Sequence, residues 1–199
     1  MSPAALAASI VWAIAMSLLA RLPLGRAERA KILSLTLSCC AVMVATALPF
    51  VFRPQGEAIG RAATLGMLVA TGIVDCRTGY LFDVATLPTA AVVLAVAIAT
   101  GAMTAALHAF FAIALPIGVL AAWSRGTWIG WGDVKAVLSI VIAFGVAESL
   151  VTLIVASVSG IVHARAARSR SIPFGPHLAF GAAAAALFGP MFDPVFMEG

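Results

Sequence analysis

The sequence predicts an all-α membrane protein whose helices cross the bilayer several times. Hydrophobic residues make up 63% of the 199 residues, charged residues make up 10%, and the mean hydropathy is +1.11. Soluble domains are about 45–50% apolar and about 25% charged. Apolar stretches recur along the whole sequence, and the polar segments between them are short. We therefore expect one membrane-embedded domain over residues 1–199 and no soluble domain.

Eight apolar stretches approach the length of a transmembrane helix, which needs about 20 residues (roughly 17–25). Several of the stretches are short, so the pattern is compatible with six to eight spans. The eight candidates are 4–20, 31–52, 60–75, 84–100, 105–122, 134–147, 149–163 and 173–192.

Charged residues, glycine and proline divide the candidate spans. The first span is expected to be retained, because Arg21 and the basic residues near it follow the apolar core, whereas a secretory signal carries them before it. The stretch 53–57 separates the second span from the third, and Gly101 separates the fourth from the fifth. The division between the sixth and seventh spans depends on Glu148 alone, which we expect to mark a tight turn. The hairpin at 134–163 could also be divided differently by several residues.

The distribution of basic residues predicts the orientation of the chain. With eight spans and the N-terminus outside, only Arg53 and Arg61 of the twelve Lys and Arg residues fall outside. The positive-inside rule favours this arrangement, which places both termini outside. Trp123, Trp128 and Trp131 precede the sixth span, as expected for indoles at a headgroup boundary. We therefore attribute the net charge of +4 to orientation, and we expect no nucleic-acid partner.

Two aspartates lie at the ends of apolar stretches. Asp75 ends the third candidate span, and Asp133 directly precedes the sixth. An ionisable side chain costs a few kcal/mol at the bilayer centre and less near its edge, so such residues usually have a function. The predicted topology places both carboxylates on the cytoplasmic side. Two carboxylates in these positions indicate an aspartyl protease at the membrane surface.

Three stretches resemble type IV prepilin peptidases, which are GxGD intramembrane aspartyl proteases. The first stretch is DCRTGYLFDVATLP at 75–88, the second is GWGDVK at 130–135, and the third is IPFGPHLA at 172–179. The second matches the Gly-x-Gly-Asp-x-Lys signature at every fixed position. The resemblance covers about residues 60–190, with the three stretches in the family's order.

The resemblance implies an endopeptidase that removes short N-terminal leaders from prepilins or pseudopilins. Cleavage would follow a glycine at the cytoplasmic face of the membrane, so prepilin-like substrates and membrane lipid are the expected partners. The implied catalytic pair is Asp75 and Asp133. The residues implied to bind substrate or to support this pair are Gly130, Gly132, Lys135, Asp83, Pro173, Gly175 and Pro176.

The chain departs from the family pattern in three respects. Phe82 stands where the family usually has proline, and Val141 stands where a glycine commonly follows the second aspartate; both bear on substrate range. Only residues 21–30 stand where bifunctional members carry a cytoplasmic domain with paired Cys-x-x-Cys motifs. We therefore expect a short, peptidase-only form without N-methyltransferase activity, resembling the enzymes of tight-adherence or Flp pilus systems.

The residue types explain how such a site works without a cofactor or a metal. Two nearby carboxylates share a proton and titrate as a unit. The ionised carboxylate can act as general base on a water, while the protonated one polarises the scissile carbonyl and protonates the leaving amine. The three histidines, His108, His163 and His177, show no metal-ligand spacing, and no Cys-x-x-Cys occurs. No metal site is expected.

Each candidate site residue also has a structural interpretation. Asp133 could be the N-cap of a membrane helix, and Asp75 could pair with Arg77 at the interface. Asp83 could cap the fourth span, contact substrate or compete for a catalytic role. Lys135 could orient Asp133 or the substrate, or it could simply extend its ammonium group to the membrane surface.

Three alternative functions also fit the sequence. The chain could be a GxGD peptidase with other membrane substrates, or a carrier or channel that uses Asp75 and Asp133 as proton or cation sites. It could also be an inactive assembly protein, which the departures at Phe82 and Val141 would favour. No internal repeat with paired broken helices is evident, which weighs against the carrier.

Overall fold

A computed structural model describes residues 3–52, 55–169 and 172–188, and the all-α prediction is confirmed. These residues form helices joined by short turns, with no strand among them. A π-helical segment, Phe110–Ala114, makes α7 and α8 continuous. The helices are α1 (Pro3–Leu19), α2 (Arg26–Ala30), α3 (Leu35–Ala47), α4 (Pro49–Phe52), α5 (Gln55–Thr78), α6 (Asp83–Ala99), α7 (Met103–Ala109), α8 (Leu115–Trp123), α9 (Trp131–Ala167) and α10 (Gly175–Phe188).

Three helical stretches in this part of the chain are long and apolar enough to cross a membrane. This supports a membrane protein but not the predicted eight spans. The three stretches are Gly56–Thr78, Met103–Trp123 and Trp131–Ala167, and four shorter apolar helices are Ile10–Leu19, Leu35–Ala47, Asp83–Ala99 and Gly175–Phe188. A helix of 17 residues is about 25 Å long, which is less than the roughly 30 Å of a typical hydrocarbon core.

The second candidate span, 31–52, shows why hydropathy alone overestimates helix length. The helix begins only after Ser34, whose hydroxyl accepts a hydrogen bond from the Leu37 backbone N–H at 3.3 Å. It ends at Ala47, and a separate short helix starts at Pro49. The last candidate, 173–192, begins as a helix at Gly175, and its final four residues lie outside the described residues.

Two contacts define the ends of the molecule along α5. Near the start of α5, Arg61 forms a buried ion pair with Glu148, with Nε–Oε2 and Nη2–Oε1 distances of 3.0 and 3.2 Å. Near its end, Asp75 accepts a hydrogen bond from the Gly175 backbone N–H at 2.7 Å. Arg61 and Asp75 are about 21 Å apart along the helix axis at 1.5 Å per residue. We call these the Arg61 end and the Asp75 end.

Helix α9 runs from the Asp75 end to the Arg61 end and then returns. The reversal occurs at Gly145, whose φ of 69° and ψ of −170° are not helical. The reversal lies three residues before Glu148, within the several residues by which the predicted division could differ. Glu148 itself lies on the returning half and is buried against Arg61. The contacts that show the reversal are, in chain order, Gly132 with Leu81, Ala143 with Gly60, and Gly160 with Phe174.

Helix α5 lies at the centre of the bundle, against α1, α3, α6, α9 and α10. Leu65, Met67 and Leu68 on α5 are fully buried. Helix α10 packs against the returning half of α9, where Gly181 faces the Thr152 carbonyl so closely that no side chain would fit. The packing brings the α5–α6 turn, the start of α9 and the start of α10 together at the Asp75 end.

Candidate active site

The three stretches singled out in the sequence meet in one cleft at the Asp75 end. The cleft has a volume of about 360 Å³. The turn after α5, the loop entering α9 and the segment entering α10 each form one side of it. Its lining residues are Asp75, Gly79, Tyr80, Leu81, Gly130, Trp131, Gly132, Asp133, Ile172, Pro173 and Phe174.

Asp75 lies in the last turn of α5 and is 3% exposed. Its Oδ2 accepts the Gly175 hydrogen bond, and a Cβ on Gly175 would lie 2.9 Å from that oxygen. The start of α10 therefore approaches the carboxylate through a residue that has no side chain. Arg77, considered above as a structural partner for Asp75, is exposed, whereas the Asp75 carboxylate is buried.

Asp133 is the third residue of α9, and the residue at the N-cap position is Gly130. The Asp133 carboxylate lies beside the backbone of Gly130. The carboxylates of Asp133 and Asp75 are close enough to interact electrostatically. Oδ1 of Asp133 is buried and has no hydrogen-bond partner among the residues that the structure describes. Asp133 is therefore not the N-cap itself, and both aspartates line the same cleft.

Gly132 allows the loop before α9 to contact the turn after α5. A Cβ on Gly132 would lie 2.9 Å from both the Cβ and the carbonyl oxygen of Leu81. A contact this short with a backbone atom leaves no room for a side chain. This close approach brings Asp133 to the wall of the cleft that Asp75 also lines.

Lys135 and Asp83 form an ion pair with an Nζ–Oδ1 distance of 2.6 Å. Asp83 is the first residue of α6 and follows the N-cap residue Phe82. The pair links the start of α6 to the first turns of α9, and neither residue lines the cleft. The ion pair that Lys135 forms is therefore with Asp83 and not with Asp133.

Two prolines flank Gly175 in the third stretch. Pro173 lines the cleft. Pro176 lies against α5, where a Cβ on Gly72 would be 3.2 Å from the Pro176 nitrogen. The sequence analysis did not predict that Gly72 supports the site. The only sequence signal for such a role is its position one helical turn before Asp75.

The two departures from the family pattern occupy packing positions. Phe82 is partly buried and packs against the main hydrophobic core. Val141 is fully buried with Ala109 and Ile113, on the side of α9 that faces α7. Neither side chain lines the cleft. The two departures from the family pattern therefore leave the chemical groups of the cleft unchanged.

The cleft has the groups that general acid–base hydrolysis requires. A water between two carboxylates can lose a proton to the ionised one, while the protonated one donates to a carbonyl oxygen or a leaving amine. Within the described residues, no group of three or more His, Cys, Asp or Glu side chains is arranged to hold a metal ion. The side chains of His163 and His177 are in contact, although the two residues do not have a metal-ligand spacing in the sequence.

Comparison with known proteins gives one match. The model of a family described as the type IV leader peptidase family matches residues 62–164. This range includes Asp75, Asp83, Asp133 and Lys135, and it ends before the third stretch at 172–179. No curated protein and no solved structure matches the chain.

Proposed function

Because the chain belongs to the type IV leader peptidase family, we propose that it is an intramembrane aspartyl endopeptidase. It removes N-terminal leaders from type IV prepilins or pseudopilins by cutting after a glycine at the cytoplasmic face. One observation carries this proposal. Asp75 and Asp133, which come from different helices, line the same cleft as all three stretches that resemble the prepilin peptidases.

The two aspartates act as a general acid–base pair. One carboxylate is ionised and takes a proton from water, and the resulting hydroxide attacks the scissile carbonyl carbon. The other is protonated and donates its hydrogen bond to the carbonyl oxygen, and a proton then passes to the leaving amine. The Gly175 N–H holds one oxygen of Asp75, which fixes the direction in which the other oxygen points.

The walls of the cleft suit an extended peptide. Glycines at 79, 130 and 132 line it without side chains, while Tyr80, Trp131 and Phe174 supply apolar surface. Tyr80 is 69% exposed and Trp131 is 50% exposed, so both are accessible to a segment that approaches from the membrane surface. We assign Gly130, Gly132 and Pro173 to substrate contact, and Gly175, Pro176, Lys135 and Asp83 to support of the pair.

The proposed topology places the Asp75 end on the cytoplasmic side of the inner membrane. The helices alternate in direction, and the reversal at Gly145 makes α9 contribute two passes. Eight passes with both termini outside would then keep most of the basic residues at the cytoplasmic face. The peptidase acts without N-methyltransferase activity, since no Cys-x-x-Cys pair is present in the sequence.

The experiment uses the full-length protein, purified in detergent, with prepilins from tight-adherence or Flp systems and with a general type IV prepilin. Mass spectrometry determines the new N-terminus of each substrate. We expect cleavage directly after a glycine and an unmethylated product when S-adenosylmethionine is present. An intact leader in every substrate would contradict the proposal, provided that the enzyme shows a cooperative thermal unfolding transition and is therefore folded.

A further inference from the structure

Three side chains outside the cleft form a chain of close polar contacts that the proposed reaction does not use. Ser159 and His163 lie on the returning half of α9, and His177 lies in the first turn of α10. Ser159 Oγ is 2.9 Å from His177 Nδ1, and His177 Nε2 is 3.0 Å from His163 Nδ1. The two imidazoles thus face each other across the junction of two helices.

Both contacts of Ser159 are hydrogen bonds when Nδ1 of His177 carries the ring proton. A hydroxyl has one proton to donate, and with that proton on the Ala156 carbonyl at 3.0 Å, Ser159 Oγ accepts from the His177 Nδ1–H at 2.9 Å. In a neutral imidazole the other nitrogen is then an acceptor. The lone pair of His177 Nε2 points towards His163 Nδ1.

We propose that His163 Nδ1 and His177 Nε2 together bind a divalent cation of the zinc class. Two nitrogens bound to one tetrahedral Zn²⁺ at about 2.0–2.1 Å lie about 3.3 Å apart. The observed 3.0 Å is a hydrogen-bond distance, so binding moves the two nitrogens apart by a few tenths of an ångström and replaces the proton between them. His163 presents the lone pair of Nδ1 when its proton resides on Nε2. Imidazole is a preferred ligand of zinc, copper and nickel.

One contact in the surroundings of the pair is typical of metal-binding histidines. Metal-ligating histidines generally donate their second ring N–H to a nearby acceptor, which sets the tautomer and the ring orientation. Ser159 provides this acceptor for His177. No third protein ligand joins the two histidines within the described residues, so water completes the coordination. His163 is exposed and His177 is partly buried, which gives the cation access.

A bound cation would fasten the start of α10 to α9. His177 lies two residues after Gly175, so the cation would restrain the segment that donates a hydrogen bond to Asp75. Binding itself depends only on the two imidazoles. The proposal therefore stands or fails independently of leader cleavage.

The test is a calorimetric titration of the full-length, tag-free protein in detergent with Zn²⁺. The midpoint of thermal unfolding is measured with and without Zn²⁺. We expect one zinc per chain and a higher midpoint with zinc. His163→Ala and His177→Ala should each weaken zinc binding by about tenfold or more. Ser159→Ala should weaken it by about 10–100-fold, as is typical when the acceptor behind a ligating histidine is removed.

His108→Ala is the matched control, because His108 is the remaining histidine of the sequence and lies on α7, away from the pair. It should bind zinc like the parent protein. His163→Gln keeps a hydrogen-bond donor beside His177, so its midpoint without zinc should equal that of the parent, while the zinc-dependent rise disappears. Unchanged zinc affinity in the His163 and His177 variants, or no binding by the parent, would overturn the proposal and leave a hydrogen-bonded packing pair.

Discussion

At Asp75, a buried carboxylate is oriented by a hydrogen bond from a backbone N–H. Gly175 donates this bond from the first turn of α10, a helix one hundred positions further along the sequence. The helix can come this close only because residue 175 has no Cβ. The orientation of Asp75 therefore depends on the contact between α5 and α10.

Gly175→Ala should slow leader cleavage with little effect on substrate affinity. Its Cβ would lie 2.9 Å from Asp75 Oδ2 and must displace either the carboxylate or α10. A misplacement of about 1 Å can reduce a rate on the order of 100-fold, so we expect kcat to fall by about 10–100-fold. Steady-state cleavage of a fluorescent leader peptide measures kcat and KM.

Gly60→Ala is the control for this substitution, because its Cβ would meet only ordinary contacts of 3.7–3.9 Å at the Arg61 end. It should retain the parent kcat. Equal rates for the two alanine variants would mean that the contact between Gly175 and Asp75 has no role in orientation.

The sequence predicted which residues surround the candidate pair but not which residues they contact. Asp75 and Asp133 were identified from charge at the ends of apolar stretches, and both line the cleft. Lys135 was considered a partner of Asp133, whereas the ion pair it forms is with Asp83. Such contacts depend on how helices distant in sequence pack, and local spacing carries no information about them.

Among the helical elements, α9 shows how a single backbone position can determine topology. Hydropathy predicts a nearly continuous apolar run over residues 134–163, and Glu148 is the charged residue that interrupts it, which favours a turn there. The reversal instead occurs at Gly145, where φ is 69° and ψ is −170°. Glycine tolerates this conformation, and other residues essentially do not. A charged residue within an apolar run can be buried by an ion pair, as Glu148 is.

Gly145→Ala should destabilise the protein by about 1–3 kcal/mol, the usual penalty for a side chain in a disfavoured backbone region. Space is not the cause, since nothing lies within 4 Å of the added Cβ. Gly118→Ala is the matched control, because it adds a methyl group at ordinary contact distance inside α8. It should be neutral or stabilising by up to about 1 kcal/mol.

Denaturant unfolding of the detergent-solubilised protein, monitored by circular dichroism, distinguishes these two glycines. A Gly145→Ala variant as stable as the Gly118→Ala variant would show that the reversal does not depend on the glycine conformation.

The Arg61 end is secured by an ion pair with two carboxylates of unequal burial. Arg61 bonds to Glu148, which is 3% exposed, and to Glu57, whose side chain is 54% exposed. Glu148→Gln should destabilise the protein by about 3–5 kcal/mol, because it leaves a buried guanidinium without its main counter-charge. Glu57→Gln should cost about 0–1 kcal/mol, as expected for a solvent-exposed pair.

The midpoint of thermal unfolding in detergent compares these two charge-removing variants directly. A larger loss of stability for Glu57→Gln than for Glu148→Gln would be inconsistent with this account of the Arg61 end.

In the whole molecule, successive helices run in opposite directions, so the acidic pair and the Arg61–Glu148 ion pair lie at opposite ends. The acidic pair lies at the Asp75 end, while the Arg61–Glu148 pair lies about 21 Å away along α5. The composition predicted the membrane class and the all-α fold. The eight spans were not supported by helix length, because capping residues and prolines shorten helices without lowering hydropathy.

Cysteine labelling in oriented membrane vesicles tests the proposed sidedness. With Cys39, Cys40 and Cys76 replaced by serine, a cysteine at exposed Thr127 should react with a membrane-impermeant maleimide only from the cytoplasmic side. A cysteine at exposed Ala102, which lies at the Arg61 end, should react only from the opposite side. Labelling of both positions from the same side would refute the proposed topology.

The central claim, that Asp75 and Asp133 together hydrolyse a prepilin leader, is tested most directly by determining the N-terminus of a prepilin after incubation with purified variants. Asp75→Asn and Asp133→Asn remove one proton-transferring group each, so both should reduce the cleavage rate by at least about 100-fold. Glu57→Gln is the control and should retain most of the activity, because Glu57 is an exposed carboxylate at the Arg61 end and does not line the cleft. Parent-like cleavage by either Asp75→Asn or Asp133→Asn, in protein that unfolds at the parent temperature, would contradict the two-aspartate mechanism.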